Sequence, residues 1–91
     1  MRGIRMTFAH VGVVVPPSKE VLTQAIERAA EVRGIAVEHL WVQPGCRESH
    51  AVVFIVGELT VNALGVGYQL GRTVEAAIPT VRFVDCVSLT P

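Results

Sequence analysis

The chain has 91 residues, of which 51% are hydrophobic and 18% are charged, a composition typical of a globular domain and not of a disordered segment. Because a single hydrophobic core usually organises about 100–150 residues, we expect one domain over residues 1–91. Eight basic and eight acidic residues give a formal net charge of zero, so no net field attracts nucleic acid or an anionic membrane.

The cysteines and the apolar stretches indicate a cytoplasmic protein. Cys46 and Cys86 could pair, but they are too few for a disulfide framework, and we expect two reduced thiols. The longest apolar stretch, residues 51–70, contains polar residues and lacks the ~20 clean apolar residues that a membrane helix needs. The apolar start of the chain contains His10 and no small-residue cleavage site follows it, so we expect no signal peptide.

A first strand and a first helix are predicted from the N-terminal third of the chain. The strand covers residues 5–15, where both faces are largely apolar, and Pro16-Pro17 ends it because proline cannot donate to a strand ladder. Ser18 is a favourable N-cap for a helix to Arg33, and Gly34 can end that helix in the left-handed conformation. One apolar stripe of this helix comprises Val21, Leu22, Ala25, Ile26, Ala29 and Val32.

The remaining elements are three strands and a second helix. Residues 35–43 are rich in β-branched and aromatic side chains and predict a strand, which the hairpin loop PGCRES joins to a strand over residues 50–56. This third strand is nearly all apolar, so we expect it to be central in the sheet. Gly57 breaks it, Thr60 can cap a helix to about Ile78, and residues 80–89 form the last strand.

The second predicted helix contains three glycines, and each costs about 1 kcal/mol relative to alanine. Ala63, Gly67 and Gly71 stand four residues apart and give this helix one narrow face. We therefore expect its stability to come from close packing of that face against a sheet or another helix.

The element order β-α-β-β-α-β indicates an α+β, ferredoxin-like domain, in which two helices cover one face of a four-stranded antiparallel sheet. The other sheet face should be solvated, yet neither set of alternating strand residues is clearly polar. We therefore expect a homodimer or higher homo-oligomer that associates through the sheet, face to face or edge to edge, with Trp41 at or near a packed interface. The simpler alternative is a modest exposed patch on a monomer.

No catalytic or metal-binding motif is evident, and we expect no metal and no cofactor. Cys46 and His50 are four residues apart but lie across a turn, so the pair does not have the spacing of a metal site. We expect Cys46 to be an ordinary loop cysteine, and the alternative is a reactive thiol near Arg47 and His50. Asp85 lies in the apolar last strand, where we expect a structural partner such as His10 or Arg82.

The loop before the first helix is the one candidate ligand site. Pro16, Pro17, Ser18 and Lys19 adjoin a helix N-terminus, whose free N–H groups and dipole can bind an anion or a carboxylate. The alternative is ordinary capping by Ser18.

The run VVVPPSKEVLTQAIERAAEVRGIAVEHLWVQPG, followed by SHAVVFIVG and TVRFVDCVSL, resembles the pattern of ACT-type regulatory domains. The family's Asp-x-x-Gly-like loop corresponds here to Pro16, Pro17, Ser18 and Lys19. The resemblance implies a dimerising, small-molecule-sensing module, with ligand bound near these four residues and a neighbouring subunit.

The leading hypothesis is thus a non-enzymatic regulatory or interaction module that oligomerises through its sheet. The alternative is a small dimeric α+β-barrel enzyme of monooxygenase or isomerase type, with His10, His39 or Asp85 in an apolar pocket between sheet and helices. A purely structural assembly component is a third possibility.

Overall fold

The computed structural model describes residues 2–12, 15–56 and 62–89. In these ranges the elements are β1 (Arg2–His10), α1 (Lys19–Val32), β2 (Val37–Gln43), β3 (Glu48–Ile55), α2 (Ala63–Ala77) and β4 (Val81–Ser88). The strands pair antiparallel in one sheet of order β2-β3-β1-β4. The α+β, ferredoxin-like βαββαβ arrangement and the central position of the third strand are confirmed.

The ends of α1 agree with the prediction. Ser18 is the N-cap, and its Oγ accepts a hydrogen bond from the Val21 N–H at 3.2 Å. Gly34 has a φ of +68°, a left-handed conformation that a residue without a Cβ adopts at little cost. The cap and the glycine therefore fix the length of the helix.

The predicted end of the first strand is wrong. The strand begins at Arg2 and ends at His10, because Gly12 has a φ of +65°, which takes the chain out of the extended conformation. Val15 is exposed and outside the strand, and residues 13–14 lie outside the described ranges. β3 also differs from the prediction, since it begins at Glu48, inside the predicted hairpin loop.

The second helix begins later than predicted. Its N-cap is Asn62, whose Oδ1 accepts a hydrogen bond from the Gly65 N–H at 3.1 Å. The predicted cap Thr60 and the predicted strand breaker Gly57 lie outside the described residues. Neither α1 nor α2 is long and apolar enough to cross a membrane.

The core lies between one face of the sheet and both helices. Every second side chain of the central strands belongs to the core. From the helices, α1 contributes Leu22 and Ile26, and α2 contributes Leu70 and Val74. The strand residues of the core include Ile4, Met6, Phe8, Ala51, Val53 and Ile55. The small residues of α2 predicted to pack closely, Ala63, Gly67 and Gly71, are all buried. This confirms that the narrow face of α2 lies against the sheet.

Candidate interaction surface

The sheet face that points away from both helices is called the open face here. Its side chains alternate with those of the core, and the strand pairing aligns them in rows across the sheet. Three rows are Gln43–His50–Thr7–Asp85, Trp41–Val52–Arg5–Val87 and His39–Phe54–Gly3.

The open face has an apolar band at its middle. Trp41 on β2 is 64% exposed and Val87 on β4 is 41% exposed, so large apolar groups are accessible on both edge strands. Val52 and Phe54 lie between them on β3 and are half-buried. Only Arg5 interrupts the row from Trp41 to Val87, and its aliphatic stem can itself cover apolar surface. The band thus brings together apolar side chains of β2, β3 and β4 that are not part of the core.

A polar row borders this apolar band. The His50 Nδ1 and the Thr7 Oγ1 are 3.2 Å apart, and Thr7 is largely buried between its neighbours. Asp85 pairs with Thr7 in the strand register and is exposed. The predicted structural partners of Asp85 are not found, since neither His10 nor Arg82 forms an ion pair with it. An exposed carboxylate is solvated by water and needs no such partner.

The charges on the open face balance. Arg5 and Arg82 are exposed on this side of the sheet, as are the two acidic residues Glu48 and Asp85. The pairing of both Glu48 and Arg82 with Ala9 places these opposite charges on the two sides of β1. The face therefore presents both signs of charge around its apolar band.

Both edge strands of the sheet have an irregular register. In β2 the pairing shifts between Val37 and His39, which leaves Glu38 as an extra residue. In β4 the residues paired with Thr7 and Phe8 are Asp85 and Phe83, so that Val84 is extra. Irregularities of this kind bend a strand and disfavour pairing with the edge of another sheet.

The groups considered for catalysis are not brought together. His10 points to the helix side of the sheet, where its Nε2 lies 2.8 Å from the Oγ of Ser49. His39 and Asp85 lie instead on the open face, which contradicts their placement in a pocket between sheet and helices. Ser49 is completely buried and its Oγ also accepts a hydrogen bond from the Gly45 N–H at 3.2 Å. A substrate could not reach this hydroxyl, so the His10–Ser49 pair has the geometry of a structural contact.

The His10–Ser49 pair was missed by sequence reasoning. Both residues are polar, yet each lies at a strand position whose side chain faces the core. This mismatch was the feature of the sequence from which the pair could have been inferred. A buried polar side chain at such a position requires a hydrogen-bond partner. The partner could only be named once the register of β1 and β3 was known.

The four residues predicted to bind a ligand lie in the connection before α1 and in its first turn. Pro16 and Pro17 are half-buried, whereas Ser18 and Lys19 are exposed. The Ser18 hydroxyl accepts the capping hydrogen bond described above. An adjoining groove of about 330 Å³ is lined by Lys19, Glu20, Thr23, Gln24 and Glu27. Its two carboxylates disfavour an anion, and ligand binding by this loop stays a prediction.

The cysteines differ in accessibility. Cys46 is exposed in the loop between β2 and β3, whereas Cys86 is buried, and both are free thiols. Burial raises the pKa of the Cys86 thiol above its ordinary value, and the nearby negative charge of Asp85 raises it further. Across the described ranges, no group of three or more histidine, cysteine, aspartate or glutamate side chains could hold a metal ion.

A comparison with protein-family models found no match for this chain, and a search of curated proteins found no significant relative. The fold defines the class of protein as an α+β domain of ferredoxin-like architecture.

Proposed function

We propose that the protein is a small non-enzymatic interaction module that forms a homodimer by packing the open faces of two copies against each other. The exposure of Trp41 on this face is the observation that supports the proposal most directly. Tryptophan is among the residues most enriched at the centres of protein interfaces, because it buries a large apolar area at low entropic cost.

The size of the open face is sufficient for a small dimer. Four strands spaced about 4.8 Å apart and about eight residues long give a face of roughly 19 by 26 Å, or about 500 Å². Two such faces have a combined flat area of about 1,000 Å², to which the uneven surface of the side chains adds. This area is close to the lower limit of about 1,200 Å² that stable interfaces bury. We therefore expect a dimer in the micromolar range that dissociates on dilution.

The charge distribution supports a symmetric pairing. In a two-fold dimer the same patch occurs on both sides of the interface, so a patch of one charge sign would repel itself. Arg5 and Arg82 are matched in number by Glu48 and Asp85, and a two-fold arrangement can set opposite charges against each other.

The sheet edges favour face-to-face over edge-to-edge association. The extra residues Glu38 in β2 and Val84 in β4 interrupt the hydrogen-bonding row that a second sheet would need. The apolar band of the open face has no such obstacle.

The resemblance to ACT-type domains supports a regulatory role for this dimer. The same resemblance implies a small-molecule ligand near Pro16, Pro17, Ser18 and Lys19. Self-association does not depend on it, because the open face and this loop are made of different residues.

Light scattering on the purified chain tests the proposal. The wild type should have close to twice the chain mass of 9.8 kDa at high micromolar concentration. Val87→Arg places a charge in the apolar band and should weaken dimerisation at least about tenfold, since an unpaired buried charge is costly. Val32→Arg is the matched control, because Val32 is 75% exposed on α1, on the helix side of the sheet.

Two outcomes contradict the proposal. One is a wild-type mass of 9.8 kDa at every micromolar concentration, which indicates a monomer. The other is dissociation by Val32→Arg with no effect of Val87→Arg, which places the interface on the helices.

A further inference from the structure

A groove of about 310 Å³ runs between α1 and α2, on the helix side of the sheet. Short side chains create it: Ala25 and Ala29 line it from α1, and Ala77 lines it from α2. Where two helices face each other with alanines, their surfaces do not fill the space between them. The groove is distinct from the open face and from the loop before α1.

One wall of the groove is a second apolar stripe on α1. Val21 and Val32 line it and are 46% and 75% exposed, while the core is contacted by Leu22 and Ile26 on a different face of the helix. Val21 and Val32 are three helical turns apart, which is about 16 Å along the axis. Val21 and Val32 thus expose apolar surface over three turns of α1 that the core does not cover.

Two arginines lie at this groove. Arg28 lines it directly, and the Arg33 Nε donates a hydrogen bond to the Oγ1 of Thr73, another lining residue, at 3.1 Å. Thr73 in turn donates to the Gln69 carbonyl oxygen at 2.8 Å, so the Arg33 side chain is held against α2. Neither arginine is ion-paired within the part of the chain that the structure describes, and no carboxylate lines this groove.

The opposite side of α1 has the opposite charge. A second groove, between α1 and β2, is lined by Glu27, Glu31 and Glu38, with apolar residues beneath them. The helix therefore separates an acidic groove from a basic one. The interhelical groove is therefore locally positive, although the net charge of the whole chain is zero.

We propose that the interhelical groove binds a small amphipathic anion, a carboxylate attached to a medium-length alkyl chain. The carboxylate pairs with the Arg28 guanidinium, whose fork of donors matches its two oxygens, and Arg33 adds positive charge nearby. The alkyl chain lies along Ala25 and Val21. A volume of about 310 Å³ is at the lower end of the range for ligand sites, which favours a medium-length alkyl chain over a long one.

Titration of the full chain with octanoate, followed by backbone amide NMR, tests the proposal. We expect saturable shifts at Ala25, Ala29 and Ala77, and markedly weaker binding of octanol and octylammonium, which lack the negative charge. Arg28→Gln should weaken octanoate binding about tenfold, equivalent to about 1.4 kcal/mol. Arg72→Gln is the matched control, because Arg72 is exposed on α2 and does not line the groove.

A second variant tests the groove without a change in charge. Ala77 is exposed at the groove, so Ala77→Phe should fold normally, fill the space and abolish octanoate binding. Val87→Arg should bind octanoate as the wild type does, which separates this proposal from dimerisation through the open face.

Three results overturn the proposal. Equal affinity for octanoate and octanol means that the groove selects no charge, and an unchanged affinity in Arg28→Gln means that the arginine is not the partner. Shifts of the groove amides on dilution of the protein alone indicate that a second copy of the chain occupies the groove.

Discussion

Gly67 of α2 lies so close to Cys86 of β4 that a Cβ atom at position 67 would be 2.9 Å from the Cys86 Sγ. The same atom would be 2.9 Å from the Cγ2 of Ile4. Both neighbours are buried core side chains, so neither can move aside into solvent. The missing side chain of Gly67 is therefore what allows α2 to approach the sheet, and close packing offsets the low helix propensity of its glycines.

Gly67→Leu is expected to destabilise the protein by about 1–3 kcal/mol or more, because the added atoms overpack the contact with β1 and β4. Urea unfolding of both proteins measures the change. Since the row faces the protein's own sheet, the oligomeric mass should stay unchanged while the fold persists. Ala76→Leu, at an exposed position of the same helix, should change stability by no more than about 0.5 kcal/mol. Equal effects of the two substitutions would contradict the packing argument.

Trp41 is the only tryptophan, so its fluorescence reports on the open face alone. In the single chain it is 64% exposed, and burial in the proposed dimer should shift its emission to shorter wavelength. We expect the emission to move to longer wavelength on dilution through the dissociation range. Val87→Arg should show the long-wavelength emission at every concentration. Wild-type emission that equals that of free tryptophan and does not change with concentration would show that Trp41 is not at an interface.

The sequence was sufficient to predict elements whose ends have a local chemical signal. Ser18 and Gly34 mark the two ends of α1, and the structure places both as predicted. The end of β1 has no such signal, because the apolar run continues to Val15 and only the backbone conformation of Gly12 interrupts the strand. Hydrophobic patterning cannot detect a change of φ within an apolar run.

Features that depend on strand pairing could not be predicted from the sequence. Glu38 and Val84 do not differ in residue type from what a regular strand could contain. They are recognised as extra residues only when the pairing with the neighbouring strand is known. The same holds for the interhelical groove, since the sequence places Val21 and Val32 in one apolar stripe with Leu22 and Ile26 and does not distinguish the residues that line the groove from those of the core. Which part of a wide apolar stripe is covered depends on the position of α2, a tertiary property.

The Cys86 thiol makes stability dependent on pH in the alkaline range. Its pKa is raised in the folded state by burial and by the charge of Asp85, and its Sγ donates to the Leu64 carbonyl oxygen at 3.6 Å, a contact that requires the protonated thiol. A group whose pKa is raised on folding contributes stability below its unfolded pKa and loses that contribution as pH rises. We therefore expect the unfolding free energy to fall above pH about 9.

Comparison with Cys86→Ala isolates this effect. The variant should be less stable at pH 7 because of the lost side chain, but the difference from the wild type should shrink as pH rises, since only the wild type loses the thiol contribution. At pH 7 an aromatic disulfide reagent should modify exposed Cys46 first and Cys86 only on unfolding. A difference between the two proteins that stays constant from pH 7 to pH 10 would contradict the argument.

Ser49 joins the turn after β2 to the end of β1. Its buried Oγ accepts from the Gly45 N–H at 3.2 Å and lies 2.8 Å from the His10 Nε2, while the His10 Nδ1 is buried without a hydrogen-bond partner among the described residues. Ser49→Ala removes a partner from both neighbours. Because a buried polar group left without a partner costs about 1–3 kcal/mol, we expect a loss of stability in that range.

A double-mutant cycle with His10→Leu measures how much of this loss belongs to the pair. If the histidine and the serine stabilise the fold through their mutual contact, the double variant should lose less stability than the sum of the two single variants, by about 0.5 kcal/mol or more. The Gly45 amide proton provides a second readout: it should exchange faster with solvent in Ser49→Ala but remain protected in His10→Leu, where its acceptor is intact. Strictly additive losses would show that the contact between His10 and Ser49 does not stabilise the fold, and unchanged Gly45 exchange in Ser49→Ala would show that the serine hydroxyl does not protect that amide.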